Sequence, residues 1–521
     1  MKQELSRQKI VRLFLDNDIL VSNDVLPLIN NLSDEDAEIF FKKVSDNLGV
    51  DDFFVFDKIL FDRYTSNNNF MSDEIQSNST SSNKQIFDPL KNKVKVLTSY
   101  SQKSIKREVP HFVSHFRQRY KALEQILSRR KEVQNRLSIL RIKGKKEKDT
   151  VSAIGMVIDI NFTKNENMMI TIEDLTGTIN ILVNKNRSDE LFAIAKNIVF
   201  DEVIGIEGTV SNGVIFVNSI IFPDIPLTKE LKKSPIEEYV VFISDLHFGS
   251  KNFLRTEFNR FLNWINGSAG DEKQKDIASK IKYLMIIGDL VDGVGIYPSQ
   301  EEDLEFNDIY KQYDEFTIAL KQIPEHIQIV IAPGNHDAVR IPEPQPRIIE
   351  EYCKDLYAMK NVTMVSSPSY VNIGEKENFQ GFDVLIYHGF SFPYYADNVE
   401  FIRGKGGLEK PEYIMEMMLK KRHLAPSHTS NLYIPDAEKD HLIIDKVPDF
   451  FVTGHIHRTA AKTLNNITML NCSCWIGQTP YQEKVGLKPQ PARVPIVNLK
   501  TREIKILKFG KEVYTLEDNK K

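Results

Sequence analysis

The chain has 521 residues, more than a single hydrophobic core sustains, so roughly two to four domains are expected. Hydrophobic residues at 41% and charged residues at 27% exclude a disordered or fibrous chain. With 68 basic and 72 acidic residues the net charge is −4, which excludes a protein that simply coats nucleic acid.

In chain order, residues 1–64 read as a small helical domain. Apolar clusters at Ile10–Leu15 and Ile39–Val44 flank an acidic run at Asp34–Asp36, and Ser33 is placed to cap the second helix. Residues 65–92 read as a flexible linker, because 13 of the 19 residues from 65 to 83 are Ser, Thr or Asn and offer little apolar area to offset backbone ordering. Residues 93–149 begin with a short strand-like run and continue as a basic amphipathic helical segment. Phe112, Phe116, Tyr120, Leu123 and Leu127 recur at helical spacing, with Arg117, Arg119, Lys121, Arg129 and Arg130 on the remaining surface. From 101 to 148 the chain carries 15 Lys/Arg against 4 Asp/Glu, a net +11, so this helix could face phosphate or be an ordinary solvated face.

From 150 to 226 the period changes to two. Short β-branched runs with Gly/Asn turns, including Asp174–Gly177, predict a small Greek-key barrel of the OB-fold kind. Residues 235–521 then predict a layered α/β domain. Five apolar runs each end in a polar, Gly-containing corner, and VPIVNL and REIKILKF read as strands that complete a sheet. No apolar run reaches the roughly 18 residues of a membrane span, and the opening MKQELSRQKI lacks the apolar stretch of a signal peptide. Cys353, Cys472 and Cys474 read as small apolar residues, too few for a disulfide framework. The expected setting is a reducing cytoplasm, with no membrane.

The five corners collect Asp245 and His247; Asp289 and Asp292; Asn335, His336 and Asp337; His388; and His455 and His457. Ligands in layered sheets gather beyond the carboxyl ends of strands, so these corners are expected to converge. Their mixture of carboxylate, amide and imidazole suits Mn best, with Fe, Zn or Mg as alternatives, over the all-oxygen sites of Ca. So many ligands point to two divalent ions about 3.5–4 Å apart, which need a bridging anion. Asp289 is the expected bridge. Asp245, His247 and His457 are placed on one ion, and Asn335, His388 and His455 on the other. His336 is left over as the group that protonates the leaving oxygen or stabilises charge on the phosphoryl oxygens. Asp337 is expected to hold its ring, and Asp292 to hydrogen-bond beside the ligands. His423, His428 and His441 follow no such strand and read as local structural residues.

Together the corners D-x-H, G-D-x-x-D, G-N-H-D, a lone His and G-H-x-H resemble the calcineurin-like metallophosphoesterase superfamily, whose ligand positions match Asp245, His247, Asp289, Asn335, His388, His455 and His457 and whose catalytic histidine matches His336. The wider layout, with HFRQRY, EDLTG, GDLVDGVGIYPSQ (288–300), PGNHDAVR (333–340), PQP (344–346) and QTPYQEKVG (478–486), resembles the small (exonuclease) subunit family of archaeal family-D DNA polymerases. That resemblance implies 3′→5′ removal of nucleotides by two-metal hydrolysis in proofreading. It also implies as partners a large polymerising subunit and DNA with a 3′ end, with the N-terminal region as a candidate contact for a sliding clamp or primase. Arg340 and Arg347 are candidate phosphate or partner contacts or else surface ion pairs, the helix over 107–136 could follow the DNA backbone, and Tyr394 and Tyr395 either stack a terminal base or pack in the core. Two alternatives stay open: a catalytically weak scaffold that holds the large subunit, and another metallophosphoesterase such as an endonuclease or phosphatase.

Overall fold

The computed structural model describes residues 94–521 except 102–104, 480–481, 484–486, 511–516 and 519–521; before residue 94 it describes two short strands, Ile19–Val21 and Phe54–Phe56, which pair in parallel. The expected helical unit over 1–64, apart from those strands, and the linker over 65–92 lie outside the described residues. Residues 1–86 form one compact unit and 87–521 a second. Among the described residues no helix is long and apolar enough to cross a membrane.

The second unit has a mixed α/β architecture with a closed barrel. The helix Val109–Leu127 carries Pro110 in its first turn, where a missing N–H costs nothing. Its predicted stripe packs as expected: Tyr120, Leu123 and Leu127 are buried with Val133, Ile154, Met156 and Val203. Five strands from Thr150–Phe162 to Val214–Ile221 close the barrel in the order first, second, third, fifth, fourth. Alternation along them places Ile170, Ile172, Ile181, Val183, Ile204 and Ile206 in one fully buried interior. The Asp174–Gly177 turn is held locally. Asp174 accepts from the Thr176 and Gly177 amides at 2.7 and 3.1 Å and from the Ile139 amide at 2.8 Å.

Two sheets form the rest. In the seven-stranded sheet Val362–Met364, Gln328–Ala332, Ile281–Ile287 and Tyr239–Ile243 run parallel. The predicted carboxy-terminal strands Arg493–Asn498 and Ile504–Lys508 extend it antiparallel. The six-stranded sheet has Phe382–Ile386, Phe450–Thr453 and Ile467–Asn471 in parallel at its centre. Its far edge is Val94–Ser99, antiparallel to Ser369–Ile373. The segment 93–149 therefore does not stand apart: its first strand completes a sheet whose next strand lies some 270 residues later.

The sheets share one core, where Phe242, Tyr283 and Ile287 of one face Phe382, Val384 and Phe450 of the other. Helices Arg255–Ile265 and Ile309–Leu320 bury Phe258, Phe261, Tyr313 and Phe316 with the outer side chains of the first sheet. Helices Phe392–Asn398 and Pro411–Lys421 bury Phe392, Tyr395 and Met418 with those of the second. Strands covered on both faces need continuous apolar runs, which is why their polar residues are confined to the ends.

Candidate metal centre

The strands Tyr239–Ile243, Ile281–Ile287, Gln328–Ala332, Phe382–Ile386 and Phe450–Thr453 each end just before a predicted corner, and the loops that leave them meet. Asp245, His247, Asp289, His455 and His457 all hold left-handed backbone, with φ of 53°, 53°, 51°, 69° and 56°. Non-glycine residues occupy that region at a cost, and such positions concentrate at functional sites. Close approach is enforced by two glycines. A Cβ at Gly454 would lie 2.0 Å from Ser244 Oγ and 2.7 Å from Asp245 Oδ2, and one at Gly334 would lie 2.3 Å from Asp289 Oδ1.

The structure brings the predicted residues into three groups, Asp245–His247–His457, Asp289–His388–His455 and His247–Asp292–His336, the first and last sharing His247, with the ligand atoms of each within 4.8 Å of one another. His457 Nε2 is 3.3 Å from Asp245 Oδ1 and 3.3 Å from His247 Nε2. On the other side His388 Nε2 is 3.2 Å from Asp289 Oδ2 and 3.2 Å from Asn335 Oδ1. Asp289 Oδ2 also lies 3.9 Å from His247 Nε2, so one oxygen faces a histidine of each cluster. Buried carboxylates, an amide oxygen and imidazole nitrogens converge on a common space, and that donor set fits divalent cations.

The outer nitrogens of three histidines are fixed. His247 Nδ1 is 2.9 Å from Asp292 Oδ1, His388 Nδ1 donates to the Ile287 carbonyl at 2.7 Å, and His457 Nδ1 is 2.8 Å from Gln482 Nε2. Acceptors on Nδ1, as at His247 and His388, orient a ring that ligates through Nε2, and at His457 the Gln482 amide does so with its oxygen turned to Nδ1. Sequence reasoning missed Gln482 and Gln300, whose Nε2 donates to Asp292 Oδ2 at 3.1 Å. The family-like stretches 288–300 and 478–486 contain both, so that resemblance was the signal available.

His336 and Asp337 correct one expectation. The His336 ring is held by the Asp292 backbone carbonyl, which accepts from Nδ1 at 2.8 Å, and its amide donates to Asp289 Oδ1 at 2.8 Å. Asp337 does not hold that ring. It is buried and accepts from the Gly334 amide at 2.8 Å, the Leu290 amide at 3.2 Å and Tyr313 Oη at 3.1 Å, tying two site loops together. Adjacent residues at a tight corner point apart, and here the backbone carbonyl of another loop is the nearer acceptor.

Electrostatics matches a site built for cations. Burial pushes the Asp289 carboxyl up, but His388, His336 and His247 outweigh it and hold the group well below the usual range. Burial pulls His388 down, yet Asp289 and Asp245 raise it to about 9. Burial and the neighbouring His388 lower His455 to about 3. Asp337, with burial and Asp289 acting in the same direction, is pushed up to about 7. The acidic side chains draw positive charge into the centre, and metal ions would compete with protons for it.

Other predicted contacts sit elsewhere. Arg340 braces its own loop, donating to the Pro342 and Pro344 carbonyls at 3.3 and 2.7 Å and lying over Tyr100, while Arg347 is exposed. Tyr395 is fully buried, its hydroxyl accepting from the Ser427 amide at 3.2 Å, and Tyr394 packs on the same core, so neither offers a free face in the expected way. Arg119 is not on the helix's outer face: it is fully buried against Asp440. His423 is buried on Asp440 and His441 pairs with Asp436, both local structural roles. All three cysteines are buried and free.

Comparison with known proteins gives a consistent result. Residues 240–462 match the family model of the B-type subunit of DNA polymerases alpha and epsilon. The chain is 38% identical over 403 residues to the DNA polymerase II small subunit of Methanothermobacter thermautotrophicus, a match that covers 77% of this chain and 80% of the relative. It is 35% identical over 418 residues to that of Archaeoglobus fulgidus, covering 80% and 81%. With the Methanocaldococcus jannaschii protein of the same description the identity is 40% over 395 residues, 75% of this chain and 64% of the relative.

Proposed function

The chain belongs to the family of archaeal DNA polymerase II small subunits, the family-D type expected from its motifs, and from that membership we propose that it is the polymerase's metal-dependent 3′→5′ proofreading exonuclease. In this reading the calcineurin-like resemblance is functional. Asp245, His247 and His457 hold one divalent ion, and Asn335, His388 and His455 the second. Asp289 is the shared carboxylate. The observation that carries the proposal is the position of Asp289 Oδ2, 3.2 Å from His388 Nε2 and 3.9 Å from His247 Nε2. When bound, paired divalent cations, Mn foremost, supply Lewis-acid activation and a nucleophile from water near neutral pH.

The chain's own residues supply the rest. His336 Nδ1 donates to the Asp292 carbonyl, so Nε2 carries a proton only when the ring is the imidazolium, the form that acts here as the acid. Hydrolysis breaks the bond between phosphorus and the 3′ oxygen of the penultimate nucleotide, and His336 Nε2 gives its proton to that oxygen as a 5′-mononucleotide leaves. A mispaired end costs less to unpair, so selectivity arises without reading base edges. The large polymerising subunit and DNA with a 3′ end are the proposed partners. A sliding clamp or primase contact is proposed for the N-terminal region.

The test is purified chain with Mn²⁺ and a labelled primer bearing a 3′ mismatch. Stepwise shortening from the 3′ end, lost in Asp289→Ala, is the expected result. No product from wild type and variant alike assigns the chain a scaffold role, and internal cuts or release of terminal phosphate alone assign a different phosphoesterase.

A further inference from the structure

A large aromatic side chain stands at the metal centre without belonging to any core. Phe390 follows His388 by two residues and is only partly buried. Its neighbours along the chain, Phe392 and Tyr395, are fully buried in the core on the outer side of the six-stranded sheet. Phe390 joins none of the apolar clusters that hold the described residues together. Among the described residues its ring meets one other ring, that of His455, with centroids 5.8 Å apart and planes at 65°.

The backbone fixes this placement. Gly389 holds φ of +113°, and a Cβ there would lie 3.3 Å from the Gly454 carbonyl oxygen and 3.4 Å from His455 Cβ. Phe390 is thereby brought against the His455 loop at the edge of the cluster Asp289–His388–His455. The ring is partly buried and so contributes to folding, but it joins none of the apolar clusters and keeps part of its surface open beside converging carboxylates and imidazoles. What it offers is a flat apolar face next to the place where a scissile phosphate would sit.

We propose that Phe390 is the stacking platform for the nucleobase next to the scissile phosphate, and that this ring makes the centre selective for base-bearing nucleic-acid ends of any sequence. The proposal rests on the exonuclease reading and narrows its substrate class. A phenyl ring has no hydrogen-bonding group with which to read a base edge. Stacking on it therefore tolerates all four bases and fails only where the base is missing. Phe390 acts as a positioning residue: it holds the nucleoside while the polar centre acts on the phosphate.

The experiment compares wild type, Phe390→Ala, Phe390→Leu and Phe390→Trp on single strands that end in a normal nucleotide or in an abasic one, with Mn²⁺. Wild type should favour the base-bearing end by about tenfold in kcat/KM, and Phe390→Ala and Phe390→Leu should treat both ends alike at the slower rate. Phe390→Trp should restore the preference. Phe390→Leu, which keeps most of the apolar volume, should leave the melting temperature nearly unchanged, so its loss of preference reports the missing aromatic face rather than unfolding. In parallel, a strand with 2-aminopurine at its 3′ end and a phosphorothioate terminal linkage reports stacking by quenching, without hydrolysis. Quenching that is lost in Phe390→Ala and restored in Phe390→Trp supports the platform, even if no strand is cut and the exonuclease reading fails. Equal quenching and equal end preference in wild type and Phe390→Ala overturn the platform, whatever the nuclease activity. So does a uniform loss on both ends in Phe390→Ala that Phe390→Trp fails to repair.

Discussion

Arg119 Nε donates to Asp440 Oδ2 at 2.6 Å, and neither side chain has measurable exposure. The same oxygen lies 2.9 Å from His423 Nε2 and 3.4 Å from His115 Nε2. Arg119 also donates to the backbone carbonyl of Pro426. A helix that precedes the barrel is thus pinned to loops that follow the strand before His388.

Breaking this pair should be costly because it strands a buried carboxylate. Arg119→Leu is expected to destabilise the chain by about 3–5 kcal/mol, and Arg119→Leu combined with Asp440→Leu should recover most of that loss. Urea denaturation of the three proteins measures it. A single-variant loss below about 1 kcal/mol would show that the pair is structurally idle.

The same network predicts a pH dependence. Burial, reinforced by Arg119, lowers His423 to about 4 despite Asp440. Its Nδ1 accepts from the Ala425 amide at 3.0 Å, a bond that only the neutral ring can make. In the unfolded chain the group titrates near 6.5, so below that pH the unfolded state binds more protons. The His423 contribution to stability should be full above about 6.5 and fall as pH drops toward about 4, by up to about 3 kcal/mol. Comparing the urea midpoints of wild type and His423→Leu from pH 8 to pH 4.5 isolates this group from others that titrate in the same window, such as Asp337, and the wild-type midpoint should lose ground to the variant as pH falls.

Metal binding should separate ligands from the proton donor. Calorimetric titration with Mn²⁺ should find both ions weakened together in Asp289→Ala; loss of one alone would contradict the shared carboxylate. His336→Ala should keep metal occupancy while turnover drops by about 10²–10⁴-fold.

Gln482 offers a finer test. Its amide lies 2.8 Å from the outer nitrogen of His457 and, with the oxygen turned there, accepts the Nδ1 proton of a ligating ring, so Gln482→Ala should weaken one Mn²⁺ by about 10–100-fold and leave the other nearly unchanged. Equal weakening of both ions would mean that the substitution had collapsed the centre.

Asp337 should behave as a brace. Asp337→Ala leaves the Gly334 and Leu290 amides and the Tyr313 hydroxyl without their acceptor, and a stability loss of about 3 kcal/mol is expected. If turnover instead fell as far as in His336→Ala with stability intact, Asp337 would be acting on the His336 ring after all.

Much of this was legible in the sequence because buried parallel strands confine their polar residues to the ends. Asp245, Asp289, Asn335, His388 and His455 each follow an apolar run, and the structure brings all five runs' ends together. The barrel was legible from its period of two. What stayed hidden depended on contacts without local periodicity. Helical spacing placed Arg119 on a polar face, but spacing cannot say that Asp440 covers that face. The adjacency of His336 and Asp337 suggested a contact that a tight corner forbids. Phe390 carried no signal in the sequence, and only the backbone turn at Gly389 sets it against His455.

The strand Val94–Ser99 carries a consequence for anyone who wants a minimal piece that holds the candidate metal centre. Cutting the chain at the Pro-rich join near residue 230 looks natural, since the barrel ends before it. Such a fragment would leave Ser369–Ile373 with one side of its backbone unpaired, an open template for edge-to-edge association. It would also discard the guanidinium that neutralises Asp440. The barrel is better regarded as an excursion between two parts of one body than as a removable module, and a soluble fragment has to begin upstream of Val94.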